Sequence, residues 1–175
     1  MSLNAKAIKR VRRAETAAKR LQAKHLLYSY GGGRSGGRIA DPPSDGERWT
    51  DCSGLATFLL DVAGVNLKNE AGSTWSLAEE GAKGASPYLT LFIKNNPGDE
   101  HVIVRLRKRP KPWHRGQPRF RWVECGGTDN PSSGGGPSYF TPGHGMGLTI
   151  EQRVKEFGIH RNFDKQLEGK PEGKK

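Results

Sequence analysis

The sequence predicts a loop-rich α+β fold. Apolar residues repeat at helical spacing in segments before Pro87, whereas segments with β-rich or alternating character follow it. The 24 glycines and 11 prolines predict many loops and argue against a helical bundle. With 175 residues the chain can bury one core but is too short for two ordinary domains.

The first predicted helix covers residues 5–27, where a weak apolar stripe includes Val11, Ala14 and Leu21. Three consecutive glycines follow at 31–33, and further Gly and Pro residues predict a loop over 31–49. We therefore expect a basic N-terminal helix over 1–27, a main domain over 28–164 and a polar, disordered tail over 165–175.

The second helix is the clearest element, because Leu55, Phe58, Leu59 and Val62 form one stripe at i, i+3, i+4 and i+7. Asp51 stands at the predicted N-cap, and Gly64 stands where the helix should end. A shorter helix is expected over 74–83, with Ser76 and Glu79 as a capping pair.

Strands are predicted over 88–94, 101–106 and 120–125, with a turn over 95–99 and a basic loop over 107–119. Residues 126–145 contain no predicted element. A short helix from Thr149 to Gly158 and a last strand over 159–163 complete the expected order.

The net charge of +11 is concentrated in two segments. Residues 6–24 contain eight Lys or Arg against one acid, and residues 105–121 contain eight and no acid. This balance favours polyanionic partners such as nucleic acid, anionic lipid or phosphate-bearing wall polymers, but solvated surfaces would look the same. No apolar run reaches the roughly 18 residues of a membrane span, and we find no secretory signal.

The two cysteines, Cys52 and Cys125, exclude a disulfide scaffold and a four-thiolate zinc site, while a single disulfide stays open. Cys52 is predicted at the first turn of the second helix, where free N–H groups and the helix dipole favour the nucleophilic thiolate. A structural cysteine that points into the apolar stripe would be inert. Position alone leaves both interpretations equally supported.

A nucleophilic thiol needs a base, and the chain has five histidines. His101 follows a turn at the start of a strand, from which its side chain could lean over a helix end. The other four have less support from the pattern, and they are His25, His114, His144 and His160.

Several motifs resemble the NlpC-like cell-wall peptidases when they are taken in chain order. Tyr28-Ser29-Tyr30-Gly31-Gly32 precedes Asp51-Cys52-Ser53-Gly54-Leu55, and the segment 97–104 reads Pro-Gly-Asp-Glu-His-Val-Ile-Val. The likeness covers roughly residues 20–125 and implies a papain-like fold, with helices packed on a small antiparallel sheet and the catalytic cysteine at a helix N-terminus.

The resemblance also implies roles for individual residues. Cys52 would be the nucleophile and His101 the base, and Glu124 would orient the imidazole where the family usually carries His. His144 competes with Glu124 for that third role. Substrate contacts are expected from Tyr28, Asp51, Ser53 and Trp75, and neither a metal nor an organic cofactor is needed.

The implied activity is hydrolysis of amide bonds in peptidoglycan stem peptides through a thioester. The lack of a secretory signal favours a bacteriophage lysis enzyme or a virion tail enzyme, located in the host cytoplasm before release or in the virion. The basic segments could bind anionic wall polymers, and the N-terminal helix could bind other virion proteins. The alternatives are an inactive virion assembly protein of the same fold and a basic nucleic-acid-binding protein.

Overall fold

The structure, a computed structural model, describes residues 3–35, 38–68, 72–108, 119–126, 136–139, 152 and 154–169. Helix α1 spans Ala5–Ala23, and the Asn4 side chain caps it by accepting hydrogen bonds from the backbone N–H groups of Lys6 and Ala7. The helix ends four residues earlier than predicted. Its apolar stripe is buried in the same core as the rest of the chain, so α1 is an integral part of the domain. No helix in the described ranges is long and apolar enough to cross a membrane.

Helix α2 spans Cys52–Val62, as the apolar spacing predicts. Asp51 is its N-cap, and its side chain accepts a hydrogen bond from the N–H of Gly54. Ala63 is the C-cap, and Gly64 follows with φ of +74°, a conformation that glycine adopts without strain. The predicted N-cap is therefore confirmed, and the C-cap lies one residue earlier than the predicted Gly64.

Helix α3 covers only Thr74–Leu77, against the predicted 74–83. Its capping box pairs Ser73 with Ser76, so the expected pair of Ser76 and Glu79 is wrong. The chain then turns into β3, Ala82–Lys83, which was not predicted.

The three predicted strands of the central sheet are confirmed and are slightly longer than expected. Strand β4 is Leu89–Asn96, β5 is Asp99–Arg107 and β6 is Phe120–Gly126. Only Pro97 and Gly98 separate β4 from β5, and Gly98 supplies the positive φ of +81° that this turn uses. As a result His101 is the third residue of β5 rather than its first.

Two further strands of the sheet are β7, Gly136–Tyr139, and β8, Ile159–Asn162. Among the described residues the sheet is open and has six strands, all paired antiparallel, in the order β3-β8-β4-β5-β6-β7. Strand β7 lies in the segment where no element was predicted, so that prediction is wrong. Its pairing with β6 uses backbone groups, for which its Gly-Pro-Ser-Tyr sequence gives little signal. Strand β8 is present as expected. A separate two-stranded ribbon, β1 at Arg34–Ser35 and β2 at Arg38–Ile39, lies in the predicted loop.

The α+β class is confirmed, and the main core lies between the sheet and helices α1, α2 and a short C-terminal helix, α4, at Asp164–Glu168. Alternate residues of β5 enter this core at Val102, Val104 and Leu106. The intervening residue Ile103 joins a smaller apolar cluster with Phe92 and Phe157. The side chains of β5 therefore pack in two separate apolar clusters, one on each face of the strand.

The predicted tail contains most of helix α4. Leu167 is fully buried in the main core, and Gln166 exchanges hydrogen bonds with the backbone of Asn66. The expectation that disorder begins at residue 165 is therefore wrong, because one apolar residue in a polar segment is enough to dock a short helix. Residues 170–175 lie outside the described ranges, as do 149–151 and 153 of the helix predicted over 149–158.

Candidate active site

Cys52 is the first residue of α2, and 7% of its surface is exposed. Helix geometry leaves its backbone N–H without an intrahelical acceptor, and the helix dipole places partial positive charge at the same end. A thiol here can therefore be approached by a ligand carbonyl whose oxygen finds an N–H donor nearby. This is the environment that the sequence predicted for Cys52.

The start of α2 is held by a partly buried ion pair between Asp51, which is buried, and Arg34, whose side chain is 22% exposed. Both guanidinium Nη atoms donate to the carboxylate, each at 2.9 Å, and Arg34 Nη2 also donates to Ser53 Oγ at 2.7 Å. Asp51 further accepts hydrogen bonds from Ser53 Oγ and from the N–H groups of Gly31 and Gly54. Every contact fixes the helix start relative to the preceding loop.

These contacts also determine the charge of Asp51. Burial raises the pKa of its carboxyl, but the hydrogen bonds from Arg34, Gly54 and Gly31 oppose this, so the net pKa is lowered. Asp51 and Ser53 are both buried, and their polar atoms are engaged by Arg34. The structure gives these two residues a positioning role, and their predicted contact with substrate stays a prediction.

His101 and Glu124 lie on the adjacent strands β5 and β6. Their side chains are in contact, with His101 Nε2 3.0 Å from Glu124 Oε2. The third residue expected from the sequence therefore lies at hydrogen-bonding distance from the expected base.

The Cys52 thiol is one of the two acidic groups that influence the pKa of the His101 imidazole. Burial lowers the pKa of His101, but hydrogen bonding to Cys52 and to Glu124, with the negative charge of both groups, outweighs it and raises the pKa from 6.5 to about 9. Glu124 contacts Nε2 of the ring, and Nδ1 is the second ring nitrogen that can donate or accept a proton. The ring edge packs near Phe157, with 6.0 Å between ring centroids.

Cys125 has the properties of a structural residue. It neighbours Glu124 on β6 but enters the main core, where 1% of its surface is exposed and its Sγ donates to the Thr50 carbonyl at 3.2 Å. Burial raises the pKa of this thiol well above its ordinary value, with further increases from Cys52, Asp51 and Glu124. Both cysteines are free, so the disulfide that the sequence left open does not form.

Tyr28 is placed beside the thiol by a backbone pairing. Leu27 forms a parallel bridge with Arg48, and the N–H of Ser29 donates to the Thr50 carbonyl at 3.1 Å, so this segment runs along the residues just before Cys52. Burial, followed by the charges of Cys52 and Asp51, raises the pKa of Tyr28 to about 12. The phenol is therefore neutral near neutral pH and can donate a hydrogen bond.

Trp75 on α3 is 52% exposed, which is unusual for a large apolar side chain in this protein. This exposure is compatible with the predicted substrate contact. Tyr30, which the sequence analysis did not select, is 90% exposed. Both aromatic rings are free to stack on a ligand.

The remaining histidines have other environments or lie outside the described residues. His160 packs on Phe92 with 4.5 Å between ring centroids, and His25 is exposed. His114 and His144 fall outside the described ranges. The choice between His144 and Glu124 as the third residue is therefore based only on the contact of Glu124 with His101. Within those ranges, no group of three or more His, Cys, Asp or Glu side chains is placed to bind a metal ion.

Arg34, like Tyr30, was not selected by the sequence analysis. It lies between Gly33 and Ser35 in a segment interpreted as a loop, where its charge looked like one of several. Asp51 was the residue from which a partner could have been predicted. A carboxylate at a buried helix start is stabilised by a nearby positive charge.

In comparisons with family models, with curated proteins and with solved structures, nothing matched this chain.

Proposed function

We propose that this protein is a cysteine hydrolase that cleaves amide bonds, with Cys52 as nucleophile, His101 as base and Glu124 as the orienting residue. The observation that carries the proposal is the position of the His101 imidazole. One nitrogen contacts Glu124 at 3.0 Å, and the pKa of the ring is raised by Glu124 and by Cys52, the cysteine that begins α2. Nucleophile, base and orienting carboxylate in this order form a catalytic triad.

The chemistry follows from this order. The Cys52 thiolate attacks the amide carbon, and the negative oxygen that forms is stabilised by N–H groups at the start of α2. Protonated His101 then gives its proton to the leaving nitrogen, the C–N bond breaks and a thioester remains. Water attacks the thioester with His101 as base, which releases the acid and regenerates the thiol.

The substrate class comes from the resemblance to NlpC-like peptidases, and the papain-like fold is proposed on the same basis. The α+β architecture, the helix-borne thiol and the strand-borne imidazole are compatible with it. We propose stem peptides of bacterial peptidoglycan as substrate, and a phage lysis or virion-associated enzyme as the biological setting. In that setting the basic segments would contact anionic wall polymer, and α1 would contact other virion proteins.

Digestion of purified peptidoglycan tests the proposal. The wild-type protein should release soluble fragments, and mass spectrometry should detect one new amine and one new carboxylate for each bond cut. Cys52→Ala should release none, and Cys125→Ser, which keeps a donor to the Thr50 carbonyl, should remain active. Release that is equal in Cys52→Ala and wild type would contradict the proposal.

The two alternatives give different results in the same series. An inactive assembly protein would bind wall or virion components but show no release with any variant. A nucleic-acid-binding protein would bind DNA or RNA with a steep salt dependence and would not distinguish Cys52→Ala from wild type.

A further inference from the structure

A groove between α1 and α2 lies away from the candidate active site. It has a volume of about 620 Å³, within the range of roughly 300–1,000 Å³ typical of ligand sites. It is lined by four cations, five apolar residues and one hydroxyl, none of them acidic: Arg12, Arg13, Arg20, Lys24, Ala17, Leu21, Pro42, Phe58, Val62 and Thr16. We call these residues the α1–α2 groove.

The floor of the groove is formed by those residues of the apolar stripe of α2 that are only partly buried. Leu55 and Leu59 of that stripe are completely buried, whereas Phe58 and Val62 are only partly buried. Phe58 packs its ring edge-on against Trp49 at 5.1 Å between centroids, so its position is fixed. The groove therefore offers a rigid apolar surface that this part of the chain leaves uncovered.

The rim of the groove is cationic along one face of α1. Arg13, Ala17, Arg20 and Lys24 follow each other at intervals of four, three and four residues, which places them in one row. In the part of the chain that the structure describes, no carboxylate pairs with Arg12, Arg13 or Arg20. The acid of α1, Glu15, is instead buried against Arg121 on the sheet side.

We infer that the α1–α2 groove binds an acidic amphipathic helix of a partner protein. Two parallel or antiparallel helices leave a furrow that a third helix fills, with apolar anchors against Phe58 and Val62 and carboxylates against the arginines. A wall polymer or a nucleic acid backbone would use the rim but has no large apolar groups for the floor. A second copy of this chain is disfavoured, since each copy carries a net charge of +11.

The groove is an open furrow rather than an enclosed tunnel, so a single acyl chain would remain half exposed in it. An amphipathic helix is wide enough to cover the apolar floor with one face, while its polar face stays in water. The groove also lies along α2 beyond the catalytic turn, because Phe58 and Val62 follow Cys52 by six and ten residues. Binding here is separate from the proposed hydrolysis and does not depend on it.

A synthetic peptide tests the inference directly. The probe is a fluorescein-labelled helical peptide of about four turns with Leu at i, i+3, i+4 and i+7 and Glu at flanking positions, and its control replaces every Glu with Gln. Fluorescence anisotropy should show saturable binding of the Glu peptide below about 1 mM, weakened by salt, and much weaker binding of the Gln peptide.

Two double variants separate the local site from overall charge. Arg13→Glu/Arg20→Glu should weaken binding at least about tenfold. Lys9→Glu/Lys83→Glu makes the same change in net charge at exposed positions outside the groove and should change affinity less than about twofold. Val62→Ser should weaken binding several-fold because it removes part of the floor. Circular dichroism should show that all three variants remain folded.

Several outcomes would overturn the inference. These are no saturable binding of the Glu peptide, equal binding of the Gln peptide, equal losses in the two double variants, or an unchanged affinity in Val62→Ser. Vesicles containing phosphatidylglycerol provide the lipid comparison. If they bind wild type and release Arg13→Glu/Arg20→Glu while the peptide does not bind, the occupant is lipid and the inference is wrong.

Discussion

Glu124 Oε2 lies 3.0 Å from His101 Nε2, and this contact joins residues 23 positions apart on adjacent strands. It engages Nε2 and leaves Nδ1 as the second ring nitrogen that can take part in proton transfer. A carboxylate in this position stabilises the imidazolium form and fixes the ring orientation. The consequences can be measured for each of the three residues and for the Arg34 anchor that positions the thiol.

Replacement of Glu124 by Gln should reduce turnover about ten- to a thousand-fold, because the amide keeps the shape and an acceptor but loses the negative charge. Initial rates on a soluble stem peptide across pH provide the measurement. The pKa of His101 should fall in the same variant, since Glu124 contributes to raising it. His144→Ala is the matched comparison. If His144→Ala strongly reduces the initial rate while Glu124→Gln leaves it unchanged, the assignment of Glu124 as the third residue is contradicted.

Iodoacetamide at neutral pH should label Cys52 and spare Cys125. Cys52 lies at the start of α2 beside His101, whereas Cys125 is 1% exposed and burial raises the pKa of its thiol. Peptide mapping by mass spectrometry after timed labelling gives the ratio of the two. Preferential labelling of Cys125 in folded protein would exclude Cys52 as the reactive thiol.

The pKa of His101 should fall in Cys52→Ala, because the variant removes one of the two groups that raise it to about 9. NMR titration of the imidazole Cε1 proton measures this, with His160 as an internal reference. The remaining hydrogen bond to Glu124 should keep the ring in place. An unchanged pKa would mean that Cys52 and His101 do not form a pair.

The same pKa predicts how stability depends on pH. Since the folded pKa of His101 is raised from 6.5 to about 9, protonated His101 favours the folded state. This contribution is complete below pH 6.5 and is lost as pH rises through about 9. Urea unfolding of wild type and Glu124→Gln at pH values across this window should show a smaller loss in the variant, and parallel curves would contradict the prediction.

Replacement of Arg34 by Met should destabilise the fold by about 3–5 kcal/mol, because it leaves the buried Asp51 carboxylate without its charged partner. Arg34→Met/Asp51→Asn should recover part of this loss. Arg12→Met is the control at an exposed position on α1 and should cost less than about 1 kcal/mol. Urea unfolding at neutral pH provides the measurement. An equal decrease in the free energy of unfolding for Arg34→Met and Arg12→Met would show that the ion pair of Arg34 and Asp51 does not stabilise the fold.

The Asp51 pair has its own acid dependence. Because the pKa of Asp51 is lowered in the folded state, its contribution to stability is present above the ordinary pKa of the carboxyl. The contribution is lost as pH falls through the folded pKa. Wild type should therefore lose more stability than Arg34→Met/Asp51→Asn between neutral and acid pH, whereas equal losses would contradict the prediction.

The sequence by itself determined the elements whose signal is local. The stripe from Leu55 to Val62, the N-cap at Asp51 and the glycine at position 64 specify α2, because helix periodicity and capping depend on neighbouring residues. The strong β character of 88–94, 101–106 and 120–125 specified the central strands. Cys52, His101 and Glu124 were also selected from the sequence. The structure places His101 and Glu124 in contact, and Cys52 contributes to the raised pKa of His101, while their catalytic roles remain predictions.

Only the tertiary structure decided the features that depend on distant partners. Strand β7 exists because β6 offers backbone groups to pair with, and α4 docks because Leu167 finds a place in the core. Arg34 belongs to the site because the fold places its guanidinium against Asp51, which is 17 positions away in the sequence. These contacts are non-local, and their energy comes from burial and pairing that no short sequence window contains.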